Sequence, residues 1–161
     1  MIRQTLIASA VVLSSTLAFV STAQANPVEV LFGGTVTNSC TFSNKVDGTL
    51  TAPTNSTLTS TGATPGTVTV TCSGPATLNV NAPAIKTAPV DYNDATTVKS
   101  ATVAGTGAAS LNITVDDTLG VATGALVLGD TNLTVDMSAD HGTVLPAGDY
   151  QFGVTMTATA L

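Results

Sequence analysis

Apolar and polar residues alternate with a period of two along most of the chain. Val28, Val30, Phe32, Val36 and Cys40 share one parity, with Gly34 on the same face, so 28–40 reads as a strand. The runs 67–72, 76–81, 111–116 and 132–137 alternate as cleanly, and 125–128 is a short apolar run. The last run, 150–160, places Tyr150, Phe152, Val154 and Met156 on one face and Gln151, Thr155 and Thr157 on the other. Thr fills the outward positions, where its β-branch suits a pleated surface and its hydroxyl meets water. Gly, Pro, Asn and Asp punctuate the runs, for example at Ser73-Gly74-Pro75, Gly129-Asp130 and Pro146-Ala147-Gly148-Asp149. No long helical period is visible, and 43–64 reads as a loop with a short strand. Seven short strands separated by turn signals predict an all-β chain folded as an antiparallel β-sandwich.

The first 25 residues stand apart from this pattern. Arg3 supplies a positive start, 5–20 is apolar, and Ala23-Gln24-Ala25 offers a small-x-small cleavage site before Asn26-Pro27. That order is a secretory signal peptide at 1–25, followed by a single domain at 26–161 with an N-terminal strand or extension at 26–36. The apolar run is shorter than the roughly 20 residues of a spanning helix. The expectation is therefore an exported product with no membrane span after signal removal. Export makes the cysteines readable: Cys40 and Cys72 are the two in the chain, and an oxidising compartment makes one disulfide the default. Closing a loop of about 30 residues, it contributes roughly 3–4 kcal/mol in the chain-entropy model.

Composition narrows the function. Charged residues make up 9% of the 161, aromatics 4%, and the formal net charge is −6. With Arg3 lost, Lys45, Lys86 and Lys99 are the remaining cations, which disfavours nucleic-acid binding. His141 lies in a Gly-flanked turn near Asp136 and Asp140 with no nucleophile motif, so a solvated turn histidine is the expectation and no enzyme is expected. Asp116, Asp117 and Asp130 lack the D-x-D-x-D-G spacing of a calcium loop and read as turn caps; no metal or cofactor is expected. Three N-x-S/T triplets, at Asn55, Asn112 and Asn132, are the chance yield of a Thr-rich chain.

Some of these runs carry a resemblance. Phe32-x-Gly34-x-Val36-x-Asn38-x-Cys40 resembles the opening of chaperone–usher fimbrial (pilin) subunits. Gly66-Thr-Val68-Thr-Val70-Thr-Cys72-Ser-Gly74, Leu111-Asn112-Ile113-Thr114-Val115-Asp116 and Leu145-Pro146-Ala147-Gly148-Asp149-Tyr150 are similar, in that order, to segments of the spore coat protein U domain. The chain departs from that domain at its two central aromatics, Leu111 and Thr114 here, at a missing Phe-Gly segment after the first Cys, and at its non-aromatic end. The resemblance implies an immunoglobulin-like sandwich lacking one strand. It implies a periplasmic chaperone and an outer-membrane usher as partners, with copies of the chain itself or related subunits. Assembly would be by β-strand donation into a fibre or coat at the cell surface. Val28, Val30, Phe32 and Gly34 are then the candidate donor-strand residues. The same residues also fit the first strand of a complete, self-sufficient sandwich. A stand-alone secreted binding module, for example one recognising carbohydrate, is the alternative function, although few aromatics are available for a sugar platform.

Overall fold

The computed structural model describes Glu29 and residues 31–161. Residues Val36–Leu161 form one compact unit. Nearly all its regular structure is antiparallel strand: β1 Cys40–Val46, β2 Thr57–Thr59, β3 Gly66–Cys72, β4 Ala76–Asn81, β5 Ala84–Thr87, β6 Val98–Gly107, β7 Leu111–Asp116, β8 Val121–Leu126, β9 Gly129–Asp140, β10 Gln151–Gly153 and β11 Met156–Ala160, with one 3₁₀ turn at Asp94–Thr96.

The strands form two facing layers. The larger sheet runs β1-β3-β9-β6-β7, and β2 takes over beside β9 beyond the end of β3. The smaller one runs β11-β4-β8, and a separate ribbon pairs β10 with β5. The core lies between the layers. Val70, Val103, Val115 and Leu133 from the larger sheet meet Leu78, Val80 and Leu126 from the smaller, all essentially inaccessible. Inward residues alternate with outward Thr, as the period-2 pattern requires. With no Trp and few aromatics, Val and Leu fill the core. Thr131 is tolerated in it because its hydroxyl accepts the Ala109 amide at 3.1 Å.

Three expectations need revision. The strand read at 28–40 begins at Cys40: residues 31–39 pair in no strand, and Phe32 is 94% exposed. Alternation makes a segment fit to be a strand, but the segment still needs a backbone to pair with. Run 150–160 is two strands, because Val154 and Thr155 interrupt the ladder and Thr155 accepts the Asn81 amide at 2.9 Å. Strand β6, ten residues long, escaped the pattern because one inward position is a lysine: Lys99, Ala101, Val103 and Gly105 share its buried face.

Lys99 is buried at a cost that its neighbours offset. Its Nζ lies 2.8 Å from Asp94 and 3.7 Å from Asp117. Burial works to lower its pKa, but the Asp94 hydrogen bond and both carboxylate charges outweigh this and leave it above lysine's ordinary value.

Candidate functional site

The two flanks of the sandwich differ. On one, β7 passes to β8 through a tight turn in which Asp116 accepts the Thr118 and Leu119 amides at 2.9 and 2.7 Å. The Ile113 side chain fills the space over Gly124, where an added Cβ would lie 2.6 Å from its Cδ1. On the other flank, β1 and β11 are both edge strands: among the described residues each pairs with a single neighbour, β3 and β4. Between them opens a cleft of about 1300 Å³.

The cleft has an apolar floor and two dissimilar walls. Leu58, Val68, Val135 and Met137 form the floor. One wall is β1 and the turn after it, presenting Phe42, Val46 and Leu50; the other is β10, β11 and the link between them, presenting Phe152, Val154 and Met156. On parity Phe42, paired with the buried Val70, is a core residue, yet it is 41% exposed because among the described residues nothing stands opposite it. Phe152, Val154 and Met156 are half-buried for the same reason. The parity read from the sequence for the final run therefore holds, but its inward residues line an open cleft.

Beside the cleft, β1 and β11 are tied together at one end. Cys40 and Cys72 form the disulfide expected of them and face each other across the β1–β3 ladder. Just beyond, the Ser39 amide donates to Ser73 Oγ at 2.9 Å, and Asn38 Nδ2 donates to the Leu161 carbonyl at 2.9 Å. Gly74 leaves room for that Asn38 amide, which a Cβ would overlap. The start of β1 and the end of β11 are thereby held together. At the other end, the chain past β1 is tied down by Thr49, whose amide donates to the Thr64 carbonyl at 2.8 Å. Gly48 packs so closely there that a Cβ would lie 2.6 Å from the Gly66 nitrogen.

An aromatic cluster buttresses the opposite wall. Tyr92 meets Tyr150 edge-on at 5.4 Å, Phe152 at 6.5 Å and His141 at 5.2 Å, and Tyr150 Oη donates to the Pro146 carbonyl at 2.7 Å. Burial raises the pKa of both tyrosines. His141 is thus not a solvated turn residue: it is buried, with Nδ1 2.9 Å from Thr143 Oγ1. Asp136 is held by Ser60 and Asp140 by the Gly142 amide, so neither hydrogen-bonds the His141 ring. Asp117 binds the Lys99 amide and Asp130 accepts from Thr71 Oγ1. Among the described residues no three His, Cys, Asp or Glu side chains converge as a metal site, and no helix is long and apolar enough to cross a membrane.

Of the donor-strand candidates, Val28 and Val30 lie outside the described residues. Phe32 and Gly34 are exposed, with nothing within 4 Å of where a Gly34 Cβ would be. The resemblance implies a groove left by a missing strand, but no pattern in the sequence picks out the residues that line this cleft. Its floor residues Val68, Val135 and Met137 show in the alternation as core, and only the missing opposite wall marks them as a site. Compared with protein-family models, curated proteins and solved structures, the chain matches none.

Proposed function

We propose that this chain is an exported structural subunit of a bacterial surface fibre or coat, in which 26–36 of one copy fills the cleft of the next. The observation that carries the reading is the cleft: an apolar floor between two strand edges whose outer backbone groups have no strand partner among the described residues. An incoming strand would pair with those edges and seat alternate side chains on the floor, giving affinity from the backbone and selectivity from the side chains. The alternating segment Val28, Val30, Phe32 and Gly34 has the matching pattern, and its described part forms no strand. Because donor and acceptor are different surfaces, the contact does not close on itself and propagates as a fibre. By resemblance, removal of 1–25, an immunoglobulin-like plan missing one strand, passage through the periplasm with a chaperone occupying the cleft, and delivery by an usher belong to the same proposal.

The test compares the full chain with a Phe32→Asp variant after export. The full chain is expected to give a ladder of multimers in unheated gel samples. Phe32→Asp is expected to remain monomeric and to bind a synthetic peptide of residues 26–36. A full chain that stays monomeric at high concentration, together with a variant that ignores the peptide, would overturn the proposal in favour of a self-sufficient secreted domain.

A further inference from the structure

The chain's cations are few, and their placement is uneven. Its four Lys and Arg residues include Arg3, in the leader, and Lys99, enclosed by Asp94 and Asp117. The other two, Lys45 and Lys86, both line the cleft. Lys45 is neutralised by Asp47 at 2.6 Å. Lys86, on β5, is exposed and belongs to no ion pair among the described residues. Its stem lies across Gly153, where a Cβ would sit 2.8 Å from the lysine Cε, so a residue without a side chain gives Lys86 its path to the cleft mouth.

The incoming segment supplies the opposite charge. Glu29 is the only glutamate in the chain and the only ionisable side chain within 26–36. It alternates against Val28 and Val30, so when those residues face the apolar floor Glu29 faces outward, toward the rim. Resting on the strand-accepting reading above, we propose that Lys86 of one copy pairs with Glu29 of the strand entering from the next, and that this pair sets which strand is accepted and in which register. A slip by one residue would turn Glu29 onto the apolar floor and remove it from Lys86, so one ion pair penalises the wrong register twice. It also disfavours strands that carry a cation at this position.

The test measures binding of acetylated, amidated 26–36 peptides to the full chain carrying Phe32→Asp, whose own segment then does not compete. Glu29→Lys in the peptide is expected to weaken binding about tenfold at low salt, a gap that narrows as salt screens the charges. Lys86→Glu in the protein is expected to weaken the unmodified peptide similarly and to restore the Glu29→Lys peptide, which also shows that the variant is folded. Equal binding of both peptides to the Lys86 protein would overturn the ion pair while leaving the strand-accepting reading intact. Failure of either peptide to bind any of the proteins would overturn that reading, and the ion pair with it.

Discussion

The β7–β8 flank and the β1–β11 flank are built from the same materials and end differently. Both present β-branched or long apolar side chains at every second position. On the first, Ile113 meets Gly124 across the sheets and is 5% exposed. On the second, Phe42 holds an equivalent inward position, opposite the buried Val70, and is 41% exposed. The difference lies in the connection. A short turn carries the chain from β7 to β8, so one flank closes itself, whereas β1 and β11 lie at opposite ends of the fold's sequence and are tied at one end by the Asn38–Leu161 hydrogen bond. Burial is thus a property of the facing wall, and among the described residues one wall is absent over an apolar floor. Monomeric proteins rarely leave such a surface uncovered unless something binds there.

The largest expected contrast is in core truncation. Leu126→Ala on the closed flank should cost about 3 kcal/mol, because Leu126 is fully enclosed. Met156→Ala on the open flank should cost about 1 kcal/mol in the free subunit, where the side chain is half in water. Denaturant melts that show equal losses would erase the distinction. With the 26–36 peptide bound, the Met156→Ala loss should grow, since its surroundings are then completed.

Next in size is the disulfide that ties β1 to β3. Replacing Cys40 and Cys72 together by Ala should lower stability by about 3 kcal/mol and release β1 more than any other strand of the larger sheet. Amide exchange resolved by residue checks which strand loosens.

A smaller effect is alkaline. Lys99, Tyr92 and Tyr150 all have pKa values raised in the folded chain above their ordinary 10.5, 10.0 and 10.0. Each therefore contributes stability that is complete below those ordinary values and is lost as pH rises through the raised ones. Stability should begin to fall above about pH 10, and less steeply in Lys99→Met. A chain whose melting temperature is flat to higher pH would contradict the arrangement around Tyr92. The smallest change is Thr155→Ala: exposed, with only its carbonyl bonded to Asn81, it should shift stability by under about 0.5 kcal/mol.

Much of the sandwich was legible because its strands alternate. Residues 67–72, 76–81 and 111–116 fall within β3, β4 and β7, and the export reading made Cys40–Cys72 the natural pair. What stayed hidden was non-local. Lys99 reads as solvent-facing until Asp94 and Asp117 are folded around it, and the short β2 and β5 exist only because β9 and β10 lie beside them. The cleft is the extreme case. Phe42, Val135 and Met156 look like ordinary core residues, and no local pattern announces that the wall facing them is absent.

The most direct measurement of the central claim is residue-resolved amide exchange on the full chain carrying Phe32→Asp, with and without the 26–36 peptide. An added strand must pair with the free edges beside the cleft. The account predicts new protection in β1 and in β10 and β11, with β7 and β8 unchanged. Protection absent from β1, β10 and β11, or located at β7 and β8 instead, would contradict it.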